Sequence, residues 1–359
     1  MELPIPGEKG AIEELIWQLG RRLEKYFNVY IYNPSTHSTS DKIIKTTKLM
    51  MDIITKGKSP LIVHSHNIYA SIELSVINKY IRHILTLHYP LQPTVTGRGR
   101  KTLKILRSLD KLGTVIAAPS LHIVRYLNTR GFERVLFIPN GVDTSVFTPV
   151  KYREELRRYL LNDKEILIVN VGRIHPDKNQ LLLLVALKEL VYNRSYKNIK
   201  LVIIGPITGS FREKRKNNPY YQLLLRYIER YSLKEYVKFL GEVPKKEEIA
   251  QILASCDIYV HPSIVEGFPL AILEAMASGL PIIALNKPFY EGYLLHGYNA
   301  LLTPEDPYLL ASAIQALIEE QNLRKKLIYN ALETAKHFSW NSLAKFYIKI
   351  YTKLLDVTL

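Results

Sequence analysis

The chain has 359 residues, of which 47% are hydrophobic and 23% are charged, a composition typical of a globular protein with two domains. It holds no run of about 18 apolar residues and no basic N-terminal segment followed by an apolar one, so we expect neither a membrane span nor a secretory signal. The formal net charge of +16 favours anionic ligands or surfaces, and the single cysteine, Cys256, excludes an intrachain disulfide and a cysteine-based zinc cluster.

Short apolar runs alternate with helical patterns along the whole chain, which is typical of parallel α/β architecture. In the first half, the predicted strands cover residues 29–32, 61–64, 84–88, 114–118 and 135–138, after a helix over residues 11–26. In the second half, they cover residues 165–171, 200–204, 237–240, 257–260 and 281–285. The predicted helices of the second half cover residues 180–192, 220–231, 246–254, 307–321 and 340–355.

The strand series restarts after the turn Asn140-Gly141-Val142-Asp143, and a glycine-containing turn between two α/β series is a natural hinge. We therefore predict two Rossmann-like, doubly wound parallel-sheet domains, residues 1–148 and 149–338. Two such domains facing each other across a cleft would place ligands at the carboxyl ends of their strands.

A dense basic patch lies near the middle of the first domain. From Lys101 onward its members are three or four residues apart, which places them along one side of a helix. The patch consists of Arg98, Arg100, Lys101, Lys104, Arg107 and Lys111. Such a face suits an anionic lipid surface, an anionic acceptor or nucleic acid. A solvated helix face in a basic protein explains the same pattern, and both interpretations stay open.

Two predicted strands of the first domain end in histidine, one at His64 with His66 close behind, and the other at His88. A histidine at a strand end is usually structural, but the carboxyl ends of parallel strands are also where a cleft would lie. Without acidic partners, the spacing of these three imidazoles does not predict a metal site.

The loop after the first strand of the second domain contains two cations before a helix. Gly172 ends the strand, Arg173 follows directly, and Lys178 precedes a helix that begins at Gln180. A guanidinium fork and an ammonium group beside a helix N-terminus are suited to a pyrophosphate. Ordinary surface residues give similar short strings, so it is the position at a strand end that makes these two cations candidates.

Two glutamates, Glu266 and Glu274, bracket a glycine-proline loop and the start of an apolar helix that follows a buried strand. Free backbone N–H groups at such a helix start bind anionic or polyhydroxylated ligands. Each carboxylate can accept a pair of hydroxyl hydrogen bonds, and both could face one crevice. The alternative is that two surface glutamates flank an ordinary helix.

The segment from Pro262 to Pro281, which contains both glutamates, resembles the Glu-x7-Glu element of the retaining glycosyltransferases of family 4. Gly172-Arg173 and the later Lys178 resemble that family's diphosphate-binding loop. The resemblance implies the GT-B fold, with residues 339–359 forming a helix that crosses back to an N-terminal acceptor-binding domain. It also implies transfer of a hexose, with retention at the anomeric carbon, from a UDP- or GDP-linked sugar to a hydroxyl of a glycan, lipid or small acceptor.

The resemblance implies roles for individual residues. Arg173 and Lys178 would bind the diphosphate. Glu266 would bind the sugar hydroxyls and Glu274 the ribose, while His88 would lie near the reacting centre. The implied catalytic residues are thus His88, Glu266, Arg173 and Lys178. The implied contacts with the donor are Gly10, Gly172, Arg173, Lys178, Gly205, Val243, Glu266, Gly267, Phe268, Pro269, Leu270 and Glu274.

The sequence departs from the family pattern in two places. Pro269 stands where many members have glycine, and proline has no N–H group to offer a ligand. Gly10 matches a glycine-rich loop in which Ala11 replaces a second glycine, and only a few residues precede this loop. We therefore expect the first sheet to lack or shorten one strand.

The resemblance also bears on cofactors and partners. No essential metal is expected beside the nucleotide sugar, because two cations and a helix dipole would neutralise the leaving diphosphate. We expect a cytoplasmic protein that contacts the inner membrane face peripherally.

Two alternatives to the transferase interpretation stay open. One is a catalytically idle scaffold that binds nucleic acid or an anionic membrane, although no nucleic-acid motif supports it. The other is a UDP-sugar 2-epimerase, which shares the scaffold without the Glu-x7-Glu string.

Overall fold

The computed structural model describes residues 11–27, 29, 62–66, 68, 71–72, 81–88, 97–149, 157, 166–207 and 218–356. The chain forms two compact units: unit 1 contains residues 1–140 and 340–359, and unit 2 contains residues 141–339. Each unit is built on a parallel sheet, so the predicted pair of parallel α/β units is confirmed. The predicted strand at 29–32, apart from Val29, and the loop at Gly10 lie outside the described residues.

Unit 1 has four described strands, which are all parallel and ordered β1-β2-β3-β4. The strands are β1 (Ile62–Ser65), β2 (Arg82–Thr86), β3 (Val115–Ala118) and β4 (Val135–Phe137), and the helices are α1 (Ala11–Leu23), α2 (Gly97–Lys111) and α3 (Leu121–Asn128). Successive residues of β2 are buried on opposite faces of the sheet: Ile84 packs with α1, whereas Leu85 packs with α2 and α3. Burial on both faces explains the continuous apolar runs of the sequence.

Unit 2 contains a sheet of six parallel strands in the order β10-β9-β8-β5-β6-β7. The strands are β5 (Ile166–Val171), β6 (Ile199–Ile204), β7 (Val237–Gly241), β8 (Ile258–His261), β9 (Ile282–Leu285) and β10 (Leu301–Thr303). The helices are α4 (Gln180–Lys188), which continues as a π-helical turn to Asn193, α5 (Pro219–Arg230), α6 (Lys246–Ala254), α7 (Leu270–Ala277), α8 (Pro307–Glu319) and α9 (Gln321–His337).

The strand order of unit 2 reverses direction at β5. From β5 the chain builds β6 and β7 on one side and then returns to place β8 on the other side. In an open parallel sheet, ligands bind at such a reversal, in the crevice beyond the carboxyl ends of the two strands. The loops that follow β5 and β8 therefore define the candidate functional site.

The last helix, α10 (Trp340–Asp356), belongs to unit 1, where it packs against α1 and β1. Its buried residues Leu343, Tyr347 and Tyr351 join Leu15 and Leu19 of α1 in one apolar cluster. Helices α1 and α10 thus contribute to the same apolar core of unit 1. None of the helices within the described ranges combines the length and the apolar character that a bilayer span requires.

Candidate functional site

Two glycines bring the ends of β5 and β6 close together. The N–H of Gly172, the residue after β5, donates to the carbonyl oxygen of Ile204 at 2.8 Å. Gly205 follows β6 with a φ of +145°, and a Cβ atom at this position would lie 2.1 Å from the carbonyl oxygen of Gly172. Because no side chain fits at that distance, the position requires glycine. The two predicted site glycines therefore present bare backbone at the edge of the candidate site.

In the loop after β5, the Arg173 side chain is exposed, and the Arg173 backbone is held by a hydrogen bond. Gln180 Nε2, at the first residue of α4, donates to the Arg173 carbonyl oxygen at 2.9 Å. Between them, Pro176–Lys178 form a short 3₁₀ turn, and Asn179 adopts the left-handed conformation with a φ of 51°. The Arg173 guanidinium is exposed, and it makes no hydrogen bond or ion pair with any residue that the structure describes. It is thus a cation available to a ligand.

Lys178 and Glu266 form an ion pair across the reversal point of the sheet. Lys178 Nζ donates to Oε1 of Glu266, which lies in the loop after β8. The exposed fraction of the side chain is 16% for Lys178 and 11% for Glu266. The N–H of Ile264 donates to the carbonyl oxygen of Asp177 at 2.9 Å, which joins the same two loops a second time. The fold therefore brings together two predicted site residues that are 88 positions apart in the chain.

His261, the last residue of β8, also holds Glu266. Its Nε2 lies 3.0 Å from the same Oε1 of Glu266, and its Nδ1 lies 3.0 Å from the hydroxyl of Tyr259. Because a carboxylate only accepts hydrogen bonds, Nε2 carries the proton and Nδ1 accepts from the Tyr259 O–H. Neither residue is recognisable as a site residue from the sequence alone, since a tyrosine and a histidine in an apolar strand are typical of a core. The usable signal was their spacing of two, directly before the loop of Glu266.

These contacts set the charge state of Glu266. Burial raises the pKa of its carboxyl, but the hydrogen bond from His261 and the charge of Lys178 outweigh burial and lower the pKa to about 2. Burial lowers the pKa of His261 and raises the pKa of Tyr259 well above its usual range. At neutral pH the site therefore contains an anionic Glu266, and both His261 and Tyr259 are neutral hydrogen-bonding groups.

The second predicted glutamate, Glu274, lies one turn inside α7. Lys246 Nζ, at the start of α6, is 3.5 Å from Oε1 of Glu274. Since α7 begins directly after Pro269, its first two N–H groups belong to Leu270 and Ala271. N–H groups in the first turn have no partner inside the helix and point outward, where they can bind an anion.

Three further predicted contacts of unit 2 lie in or against its apolar core: Phe268, Gly267 and Val243. Phe268 is buried, and its ring packs against the ring of Tyr293 with the centroids 4.9 Å apart. Gly267 is buried beside it. Val243, which follows β7, is half-buried and packs against the same apolar cluster. The Phe268 side chain thus fixes the loop between Glu266 and α7 to the core.

In unit 1, the three strand-end histidines form a stack. The rings of His64 and His66 lie 4.5 Å apart, and those of His66 and His88 lie 5.1 Å apart. His66 Nδ1 is 2.8 Å from His88 Nε2, and His64 Nδ1 is 2.6 Å from the hydroxyl of Tyr351 on α10. Burial lowers the pKa of His88 to about 4 and that of His64 to about 3, so both are neutral near pH 7. Within the described ranges, no three histidine, cysteine or acidic side chains form a group that could hold a metal ion.

Two family models match the chain. The model described as glycosyl transferases group 1 matches residues 151–334, just over half of the chain, and the model described as glycosyltransferase family 4 matches residues 10–146. The first match contains both loops of the candidate site, and the second contains the histidine stack.

Known proteins share this similarity. The UDP-Gal:alpha-D-GlcNAc-diphosphoundecaprenol alpha-1,3-galactosyltransferase of Escherichia coli is 31% identical over 54% of this chain and 50% of its own length. An uncharacterized glycosyltransferase of Methanocaldococcus jannaschii is 28% identical over 92% of this chain and 87% of its own length. The chain spans about half the length of several other curated relatives that it matches.

Solved structures show the same fold. Anabaena HepE in complex with UDP and glucose has a TM-score of 0.75 and 19% identity, and the match covers 98% of both chains. At this identity the likeness shows the fold alone, and it identifies the two Rossmann-like units as those of the GT-B class.

The contact between Gly205 and Gly172 generates a prediction about stability. A Gly205→Ala substitution should lower the free energy of unfolding by at least about 3 kcal/mol, because the new methyl group clashes with the backbone and φ is strained. Gly241→Ala is the matched control, since Gly241 has a φ of +73° and open space around a Cβ atom. It should cost about 1 kcal/mol. Urea denaturation of both variants checks this, and equal losses would contradict the close approach.

Proposed function

Because the chain belongs to the family of glycosyl transferases group 1, we propose that it transfers a hexose from a UDP- or GDP-linked donor to a hydroxyl group, with retention at the anomeric carbon. The observation that carries the proposal is the cluster of Lys178, His261 and Glu266 at the point where the unit 2 sheet reverses, beside the exposed cation of Arg173. A nucleotide sugar combines an anionic diphosphate with neutral hydroxyls, and these residues offer a partner for each part.

The diphosphate is proposed to bind between the loop after β5 and the start of α7. Arg173 offers a planar fork of N–H donors. Lys178 has three N–H donors and uses one for Glu266, so two remain for phosphate oxygens. The free N–H groups of Leu270 and Ala271 add the positive end of a helix dipole. Charge that develops on the leaving diphosphate is then stabilised by groups that are already in place.

The hydroxyls of the donor are proposed to bind the two glutamates. Both described contacts of the Glu266 carboxylate involve Oε1, which leaves Oε2 to accept from sugar hydroxyls. Glu274 has a more distant cation, Lys246 at 3.5 Å, and suits the ribose. We further propose that His88 is needed for turnover as a neutral hydrogen-bonding imidazole.

The proposed mechanism is attack of the acceptor on the same face as the leaving group, assisted by the diphosphate. Retention through a covalent intermediate would instead need a carboxylate nucleophile at the anomeric carbon. The one carboxylate that we assign to the sugar, Glu266, is already bound by a cation and an imidazole. Trapping a glycosyl group on Glu266 by mass spectrometry would overturn the same-face mechanism.

A donor screen tests the proposed activity. We expect slow hydrolysis of at least one UDP- or GDP-sugar, because water replaces the acceptor, and thermal stabilisation by the matching nucleoside diphosphate. Because the proposed site neutralises the diphosphate with Arg173, Lys178 and a helix start, turnover should persist in EDTA within about twofold. Stabilisation by DNA oligonucleotides alone, without any nucleotide-sugar turnover, would favour the idle scaffold that binds nucleic acid.

Substitutions of site residues in unit 2 should lower the activity without unfolding the protein. Arg173→Ala and Glu266→Gln should each lower kcat/KM for the donor by roughly ten- to a hundredfold, since each removes a charged partner of the donor. Lys234→Ala is the control, because this exposed lysine precedes β7 at the other edge of the sheet. Steady-state kinetics and a parallel melting curve check the result. Unchanged rates in Arg173→Ala and Glu266→Gln would contradict the site.

The basic face of α2 supports a proposal about the acceptor. Arg100, Lys101, Lys104 and Lys111 are exposed, whereas Leu106 on the opposite face is buried. The helix therefore presents its charge outward and its apolar residues to the core of unit 1. We propose that the acceptor is anionic or lies in an anionic membrane surface, which the protein contacts peripherally from the cytoplasm.

Charge reversal on α2 tests this proposal. The double variant Lys101→Glu and Lys104→Glu should weaken binding to vesicles that contain anionic phosphatidylglycerol by at least about tenfold, because each basic residue near such a surface contributes about 1 kcal/mol. The control reverses Lys325 and Lys326, two exposed lysines of α9, with the same change in net charge. Co-sedimentation measures both, and equal weakening in the control would show a general charge effect without a docking face.

A further inference from the structure

We infer that His261, oriented by Tyr259, is a positioning residue that keeps the Glu266 carboxylate aligned for the sugar while Lys178 serves the diphosphate. The inference rests on the proposed function. It concerns two residues of β8 that the family motif does not assign, and it arises from two hydrogen bonds that meet at one carboxylate oxygen and a third that holds the imidazole.

The strand places the two rings beside each other. Residues two apart in a strand share one face, and the rings of Tyr259 and His261 are stacked, with centroids 6.0 Å apart and an angle of 20° between their planes. Both side chains are buried, with exposed fractions of 0% and 2%. The intervening Val260 packs on the opposite face of the sheet. Because both rings are packed into the core, neither can turn away from its partner without disturbing β8.

The Glu266 carboxylate fixes the direction of both hydrogen bonds of the His261 ring. Because Glu266 only accepts, the ring proton of His261 lies on Nε2, and Nδ1 accepts from the Tyr259 O–H at 3.0 Å. Nε2 then donates to Glu266 Oε1 at 3.0 Å. The other neutral tautomer would point a nitrogen lone pair at a carboxylate oxygen, which is repulsive. The Glu266 carboxylate therefore selects the tautomer of His261, and the Tyr259 hydroxyl supports it by donating to Nδ1.

Lys178 and His261 hold Glu266 in different ways. Lys178 has a flexible stem and a charge that a bound diphosphate would attract, so its contact with Glu266 can weaken when the donor binds. His261 is rigid and neutral, so a diphosphate does not compete for it. The imidazole thus keeps Oε1 in place, and with it the orientation of Oε2, throughout donor binding.

Of the other described titratable groups that face Glu266, only Lys178 donates a hydrogen bond to it. They are Lys178 from the loop after β5, Tyr259 from β8, and Tyr290 and Tyr293 from the segment after β9. The hydroxyls of Tyr290 and Tyr293 are buried and have no hydrogen-bond partner among the described residues. Without the His261 N–H, Glu266 would keep only the cation of Lys178, and its pKa would rise because burial opposes ionisation.

A matched pair of substitutions tests the inference. His261→Gln keeps an N–H donor near the position of Nε2, whereas His261→Leu removes the donor and keeps a similar volume. Relative to the wild type, the Leu variant should lose at least about tenfold in donor kcat/KM, and the Gln variant less than about threefold. Affinity for UDP or GDP without a sugar should change less than about threefold in both, because Glu266 is assigned to the sugar.

The pH profile gives a readout that simple loss of packing would not change. The folded-state pKa of Glu266 is depressed to about 2, so wild-type kcat/KM should show no fall from this group down to about pH 5. In His261→Leu the pKa rises, so an acid limb should enter the measured range, and the Gln variant should not show it. Equal kinetic losses in the Leu and Gln variants, with the same pH profile as the wild type, would overturn the positioning role.

An experiment that does not depend on activity separates this inference from the proposed function. In ¹⁵N NMR of histidine-labelled protein, His261 should be protonated at Nε2 in the wild type, and in Tyr259→Phe the Nδ1 resonance should shift because this nitrogen loses its hydrogen-bond donor. An Nδ1-protonated His261 in the wild type would overturn the inference even if the enzyme turns over nucleotide sugars. An Nε2-protonated His261 in a protein without any such turnover would preserve the geometry and refute the function.

Discussion

A buried carboxylate is the constraint on which the rest of the candidate site depends. Glu266 is 11% exposed, and an anion at such a position needs partners that offset its lost hydration. The structure supplies a cation from the loop after β5 and a neutral N–H donor from β8. The two partners come from opposite sides of the strand reversal. The reversal therefore concentrates both charge and hydrogen bonding at a single point of the sheet, which is where a ligand with an anionic and a polyhydroxylated part can bind.

The two units handle buried polar groups differently. In unit 2, the ion pair of Lys178 and Glu266 stands beside the exposed Arg173, so the site combines a fixed anion with a cation that lacks a described partner. In unit 1, His64, His66 and His88 satisfy one another or nearby hydroxyls, and burial keeps His64 and His88 neutral at physiological pH. The first arrangement is suited to hold a charged ligand. The second pairs polar groups of unit 1 with one another, without a charged partner.

Local sequence patterns were sufficient for most of the described strands. The predicted strand over 165–171 is observed as Ile166–Val171, and the one over 281–285 as Ile282–Leu285, because both are apolar runs bounded by turn residues. The strand Leu301–Thr303 was not predicted, because the apolar run Ala300-Leu301-Leu302 contains no β-branched or aromatic residue, in contrast to Val135–Ile138. The helix predicted over 307–321 is observed as α8, Pro307–Glu319, whereas α9, Gln321–His337, was not predicted.

The sequence by itself determined the chemistry available to the site: a glycine at each strand end, two cations before a helix, and two glutamates around a helix start. These follow from short-range rules about strand ends, helix dipoles and backbone N–H groups. Only the tertiary structure decided which groups meet. Lys178 and Glu266 pair because β5 and β8 become neighbours, a non-local choice that no local pattern encodes. The contacts of His261 with Tyr259 and Glu266 are local in sequence, but only the structure shows that the loop after β8 brings Glu266 back to His261, because an irregular loop has no periodic signal.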